Sequence, residues 1–160
     1  MIIMGVDPGT RYAGYGILKK EKQKTFLVEY GCLDVHKKKC LVDKIGAIYE
    51  FIFDKVSACG VTHLALETPF FYKNASTFLK LGYVRGLLYL IASQKDLILS
   101  EFSPSEVKQG ITGYGKATKE QVANVVLKLF HIKTPQRDDV TDAIAIALCG
   151  LFNSGDPRGN

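Results

Sequence analysis

An α/β fold, a single domain built on a mixed sheet of five strands flanked by helices, is what the order of apolar segments along this chain predicts. Three observations carry that expectation. The N-terminal stretch up to Val35 holds three short apolar runs separated by turn signals, which reads as a strand meander. Two further apolar runs alternate with segments of helical periodicity. A chain of 160 residues, 47% hydrophobic and 11% aromatic, is long and apolar enough for one core and too apolar for disorder. No repeat or linker divides it.

Taken in order, Ile2–Val6 is a strand running into the turn Asp7-Pro8-Gly9-Thr10. Tyr12–Leu18 and Phe26–Val35 follow as strands, with the charged stretch Lys19–Lys24 between them; two short connections imply antiparallel pairing. Val42, Ile45, Tyr49, Ile52 and Val56 recur at helical spacing, and Gly60 stops that helix. Thr62–Glu67 is a buried strand, a loop through Pro69 leads to a helix around Ser76–Gln94, and Leu97–Phe102 is the fifth strand. Ser103-Pro104-Ser105-Glu106 is a capping box with Pro at N1, and Thr118-Lys119-Glu120-Gln121 is a second box, opening a helix to about Phe130. The Gly-rich segment Gly110–Gly115 lies between them. A last helix starts near Asp138, taken as its N-cap, and runs apolar through Leu151. Residues 1–152 form the domain, and 153–160, rich in Gly, Pro, Asn and Asp, a flexible tail. Five strands opening on a three-strand meander is the layout of an RNase H-like fold.

Lys and Arg total 21 against 16 Asp and Glu, a net charge of +5 that mildly favours a polyanionic partner. Cys32, Cys40, Cys59 and Cys149 form no CxxC pair and have no His at zinc-ligand spacing, so they read as buried small hydrophobes in a reducing compartment. Asp7 interrupts the N-terminal apolar run, so no signal peptide is expected. The apolar run Leu87–Ala92 falls far short of the roughly 20 residues a bilayer requires. A cytoplasmic protein with no membrane partner is expected.

Four acids stand at places where open α/β sheets build sites. Asp7 ends the first strand before a Pro-Gly turn, Glu67 ends the fourth before Thr68-Pro69, and Asp139 and Asp142 lie three apart on one side of the last helix. Together they could converge on a divalent metal, and hard carboxylate oxygens suit Mg²⁺ or Mn²⁺ better than zinc. Each acid also has an ordinary reading. Asp7 serves equally well as a turn residue bonding local backbone, and Asp138, Asp139 and Asp142 as first-turn acids favoured by the helix dipole. Glu67 is harder to dismiss, because a carboxylate closing His63-Leu64-Ala65-Leu66 is costly unless paired, exposed or bound. No compelling serine or cysteine triad is present, and His63 and His131 are assigned structural positions.

Gly5-Val6-Asp7-Pro8-Gly9-Thr10, Leu66-Glu67 with Phe70-Phe71-Tyr72-Lys73-Asn74-Ala75, Leu79-Lys80-Leu81-Gly82 with Arg85-Gly86, Val107-Lys108, Gly113-Tyr114-Gly115-Lys116-Ala117 with Lys119, and Asp139-Val140-Thr141-Asp142-Ala143 occur in that order. The ordered set, from about Ile2 to Leu151, closely resembles the RuvC family of bacterial Holliday junction resolvases. The resemblance implies a homodimeric endonuclease of RNase H-like fold. Such an enzyme binds four-way junction DNA, nicks two strands of like polarity in recombination and repair, and works with a branch-migration helicase complex. It carries Asp7, Glu67, Asp139 and Asp142 onto the family's acidic quartet. One departure is Asp138, an acid directly before the pair where the family is usually less acidic. Some members carry His in place of the first acid of that pair, so Asp139 is expected to tolerate more change than Asp142.

In the expected scheme two Mg²⁺ ions per site, with Mn²⁺ as the alternative, act on either side of the phosphodiester. Asp7 bridges both, Glu67 and Asp142 hold one each, and Asp139 completes the set. Phe70 matches the family's stacking aromatic, with Phe71 and Tyr72 beside it. Lys108 and Lys119 match positions contacting the DNA backbone, while Lys73, Lys80, Arg85 and Lys116 cluster in the same loops and helix starts as further DNA contacts. The helix Ser76–Gln94 is either buried or, as the resemblance suggests, a dimer face. The alternative function is an RNase H-like nuclease acting on another branched or hybrid substrate. An actin-like ATPase would need two copies of the fold, and a silent binding module would be expected to lose the four acids.

Overall fold

The computed structural model describes residues 1–69, 74–133 and 137–154. Strands β1 (Ile2–Asp7), β2 (Tyr12–Glu21) and β3 (Lys24–Asp34) form the antiparallel meander, followed by α1 (Leu41–Cys59), β4 (His63–Glu67), α2 (Ala75–Gln94), β5 (Ile98–Phe102), α3 (Pro104–Thr112), α4 (Lys119–Leu129) and α5 (Asp138–Asn153). The sheet runs β3-β2-β1-β4-β5. β1 and β4 pair in parallel, as do β4 and β5, so the sheet is mixed as expected. Strands β2 and β3 extend past their apolar runs, pairing Lys19 with Phe26 and Glu21 with Lys24 around a turn in which Lys22 takes φ +54°. Backbone pairing continues there into solvent, where hydropathy gives no signal.

Local chemistry sets the helix ends. Gly60 closes α1 in the left-handed region at φ +62°. Ser103 and Thr118 form the two capping boxes, each with reciprocal side-chain and backbone bonds. Asn74 caps α2, its side chain accepting from the Thr77 N–H at 3.2 Å. Two expectations are corrected. Arg137 and not Asp138 occupies the N-cap of α5, without a side-chain capping bond, and Asp138 is the first helical residue. Cys40 is exposed and caps α1 by accepting from the Asp43 N–H at 3.4 Å; Cys149 is buried, and Cys32 and Cys59 are half-buried.

Each face of the sheet carries its own core. On one, α1 and α2 bury Ile48, Ile52, Leu88 and Ile91 against Met4, Ile17, Leu64 and Leu66. On the other, α5 lies across β1 and β2 with α3 and α4 packed about it, and Val140–Leu151 is buried except at Asp142. A helix apolar on nearly all sides belongs in the interior. It gets there because the strands beneath it are glycine at the crossing. A Cβ on Gly5 would stand 2.2 Å from the Ala143 carbonyl oxygen, and one on Gly14 would stand 2.0 Å from that of Asp139. This close approach brings the first turn of α5 to the end of β1. Among the described residues no helix is long and apolar enough to cross a membrane.

Candidate active site

Asp7 is the last residue of β1, level with Gly14 of β2, and its strand runs parallel to β4 with Val6 beside Leu66. Asp7 and Glu67 therefore leave neighbouring strands at the same edge. Glu67 pairs with Phe102 of β5, and the Thr68 N–H donates to the Phe102 carbonyl at 2.8 Å, closing the strand end. Asp139 and Asp142 stand one turn apart at the start of α5. All four acids line a single cleft of about 530 Å³ together with the Pro8–Tyr12 turn, Thr77 and Leu81 of α2, Lys108 of α3 and Lys119 of α4.

The electrostatics are those of concentrated negative charge. Burial, then Asp142, Asp139 and Glu67, push the Asp7 carboxyl up to about 7. Burial and Asp142 raise Glu67, against the opposing pull of Lys119 and Lys108. Two cations temper the charge at its rim. The Lys119 ammonium donates to Asp142 Oδ2 at 3.0 Å, and Arg137 Nε donates to Asp139 Oδ2 at 2.8 Å. The Arg137 guanidinium also lies over the Tyr12 ring at 3.4 Å from its centroid, and Tyr12 stacks in parallel with His36. Among the described residues no group of three or more acidic, imidazole or thiol side chains is gathered so as to hold a metal ion as it stands. What the cleft offers is four hard-oxygen donors facing one space, with Asp7 so crowded by its neighbours that its ionisation is opposed. That donor set fits a divalent cation of the Mg²⁺ or Mn²⁺ type.

The expected DNA contacts divide. Lys108 and Lys119 reach the cleft. Lys80 and Lys116 are exposed on α2 and before α4. Phe70, Phe71, Tyr72 and Lys73 lie outside the described residues. Arg85 points elsewhere: its side chain is only 11% exposed, donates to the Glu67 carbonyl at 2.5 Å, and is ion-paired with Glu101. Sequence reasoning missed Arg11 and Arg137. Both adjoin quartet motifs, one after the Asp7 turn and one before the helical pair, and a cation next to an acidic motif was the available signal.

Residues 3–150 match the family described as "Crossover junction endodeoxyribonuclease RuvC". Relatives carrying that description include those of Pelodictyon phaeoclathratiforme, 38% identical over 156 residues covering 97% of this chain and 82% of the relative, and Chloroherpeton thalassium, 41% identical over 155 residues covering 96% and 83%. That of Thermosipho melanesiensis is 39% identical over 150 residues, covering 93% and 96%. The solved structure of Thermus thermophilus RuvC superposes with a TM-score of 0.87 at 26% identity, covering 100% of this chain and 99% of that one. T. thermophilus RuvC in complex with Holliday junction substrate gives 0.88 at 23% identity, covering 100% and 99%, a likeness of fold.

Proposed function

This chain belongs to the RuvC family of crossover junction endodeoxyribonucleases, and from that membership we propose that it resolves four-way (Holliday) DNA junctions in homologous recombination and repair. The chemistry is symmetric, divalent-metal-dependent phosphodiester hydrolysis. One observation carries the reading: Asp7, Glu67, Asp139 and Asp142 arrive from β1, β4 and α5 at one cleft flanked by Lys108 and Lys119. The test is a synthetic four-way junction, an RNA–DNA hybrid duplex and ATP, each offered with Mg²⁺. Paired nicks near the crossover of the junction alone are expected; cutting of the hybrid in preference would reassign the substrate.

Two Mg²⁺ ions per site, with Mn²⁺ able to replace them, would supply Lewis acidity to the phosphoryl oxygens and lower the pKa of the attacking water. Asp7, crowded by the other three acids, would hold these ions together with Glu67, Asp142 and Asp139, the four carboxylates that line the cleft. Lys119 neutralises Asp142 and stands 81% exposed, free to exchange that partner for a DNA phosphate. Lys108, also in the cleft, orients the backbone by charge, so junction shape dominates over base sequence in binding. Lys119→Ala is expected to lower the slope of log affinity against log salt by about one, in magnitude. Fluorescence anisotropy across a salt series, in Ca²⁺, measures it, and an unchanged slope would make Lys119 an ordinary surface residue.

Phe70 is proposed to stack on a base unpaired at the crossover, a contact of roughly 1–3 kcal/mol. Phe70→Leu should then reduce the 2-aminopurine fluorescence gain that reports junction opening, with binding in Ca²⁺ largely kept. Full opening by that variant would remove the role.

Two cuts on a symmetric substrate call for a two-fold homodimer. Support comes from the outer face of α2, where Leu79, Tyr83 and Leu90 are exposed along one stripe. Gly82 and Gly86 lie in the same stripe, with nothing within 4 Å of a Cβ at either. Sedimentation is expected to give a dimer at micromolar concentration, and a monomer there would refute the interface. A branch-migration helicase complex is the proposed partner at the junction, and the cytoplasm the proposed location.

A further inference from the structure

We propose that Arg85 is a positioning residue for Glu67, fixing the strand end that presents this carboxylate to the cleft, and is not a contact to DNA. Its guanidinium sits between three elements. It is rooted in α2, donates through Nη1 to the backbone carbonyl of Glu67 at the end of β4, and is ion-paired through Nη2 with Glu101 of β5. Glu101 itself lies beside Leu66 in the parallel register, one residue before Glu67's own partner, Phe102. One planar fork therefore spans the two strands at the point where β4 stops being a strand.

The chemistry suits arginine and no other side chain. A guanidinium has five donors in fixed directions and can satisfy a carbonyl and a carboxylate at once, whereas a lysine ammonium on a flexible stem loses the planar fork. The carbonyl of Glu67 accepts from Arg85, while the next residue's N–H is held by Phe102 across the sheet. With both sides of that peptide tied, the Glu67 side chain leaves the sheet in one direction. Arg85 and Glu101 are 11% and 29% exposed in their side chains, so each charge is largely consumed by the other. A buried, paired cation contributes little to counterion release from DNA.

The same geometry links α2, whose other side carries the face proposed for subunit contact, to the backbone of Glu67 at the end of β4. A shift of the helix is transmitted to Glu67 through one side chain. The inference rests on the proposed role of Glu67 as a metal ligand, and the experiment separates the two. Manganese binding is followed by electron paramagnetic resonance on the full-length protein for wild type, Glu67→Gln, Arg85→Lys and Glu101→Gln, alongside cleavage, junction affinity in Ca²⁺ and melting temperature. Arg85→Lys is expected to weaken manganese binding at least fivefold and to lower kcat at least tenfold. It should leave junction affinity within twofold of wild type and its salt slope unchanged. Glu101→Gln, which frees the fork without removing it, gives the same pattern at smaller size and serves if the arginine variant does not fold. Reduced junction affinity with a shallower salt slope and normal manganese binding would make Arg85 a phosphate contact and overturn the inference. So would lower melting temperature with metal affinity intact in both variants. If Glu67→Gln binds manganese like wild type, it is the ligand role of Glu67 that fails.

Discussion

Replacing Asp7 by Asn is expected to abolish cleavage in Mg²⁺ while raising the stability of the metal-free protein. The two effects have one cause. Asp7 is largely buried among Asp142, Asp139 and Glu67, and its carboxyl is pushed from 3.8 up to about 7. A carboxylate whose folded pKa exceeds its unfolded value makes the folded state bind the extra proton between those pH values, so stability falls as pH rises from about 4 to about 7 and is level above that. At pH 8 the metal-free chain carries the full penalty, on the order of 2–4 kcal/mol. Asn removes the charge and keeps the shape. The melting temperature at pH 8 should rise by roughly 4–16 °C without metal, since 1 kcal/mol corresponds to about 2–4 °C at this size. At pH 4 the difference should nearly vanish, because Asp7 is already neutral there. Cleavage should drop by a factor of at least about 10³, the equivalent of several kcal/mol of lost metal assistance. Junction binding in Ca²⁺ should persist. Wild-type cleavage by Asp7→Asn, or no pH dependence of the stability difference, would dismantle this account of the site.

The quartet was legible because acids that end apolar runs violate the run's own pattern, and Glu67 after His63-Leu64-Ala65-Leu66 is the clearest case. The five strands were legible from the same runs, though β2 and β3 outlast theirs by pairing through Lys19–Glu21 and Lys24 in solvent. What no linear pattern carried is what depends on approach in space. Arg85 sits in a helix among apolar residues with a free-looking charge, and only the register of β4 with β5 puts Glu101 and a strand-end carbonyl within its reach. Arg137 at the head of α5 reads as an ordinary surface cation until Tyr12 is found beneath it. Asp138 looked like the cap because it has a capping side chain, yet the helix starts one residue earlier, with Arg137 bonded to Asp139.

The charge balance shows the same limit. Four of the 16 acids line the cleft, together with Arg11, Lys108 and Lys119 of the 21 basic residues, which leaves 18 bases facing 12 acids elsewhere, a net of +6 outside the site. A net charge of +5 averages a basic surface with an acidic pit, and polyanionic DNA meets the first before the second. Cations at the acids themselves, Lys119 and Arg137, soften the boundary between the two.

Gly14→Ala should be among the most damaging single-methyl changes in the molecule, and damaging in a particular way. The added Cβ would meet the Asp139 carbonyl oxygen at 2.0 Å, its carbonyl carbon at 2.4 Å and its Cβ at 3.0 Å, all belonging to the turn that carries two of the four acids. Backbone cannot rotate out of such a contact as a side-chain tip can, so α5 must lift from β2. Overpacking of this kind costs about 1–3 kcal/mol. The displacement matters more than the energy. Asp139 and Asp142 move relative to Asp7, which stays on β1, and a misplacement of about 1 Å can cost on the order of 10² in rate. Cleavage measured well below the melting temperature should therefore fall about 100-fold or more, while junction binding in Ca²⁺ changes little. Gly46→Ala is the matched control: it lies inside α1 with nothing within 4 Å of the new Cβ, and should raise stability by up to about 1 kcal/mol with cleavage intact. If Gly14→Ala cleaves at the wild-type rate, the glycine crossing does not set the distance between the strand acids and the helix acids. If it loses activity only in proportion to lost folded protein, the crossing matters for stability alone.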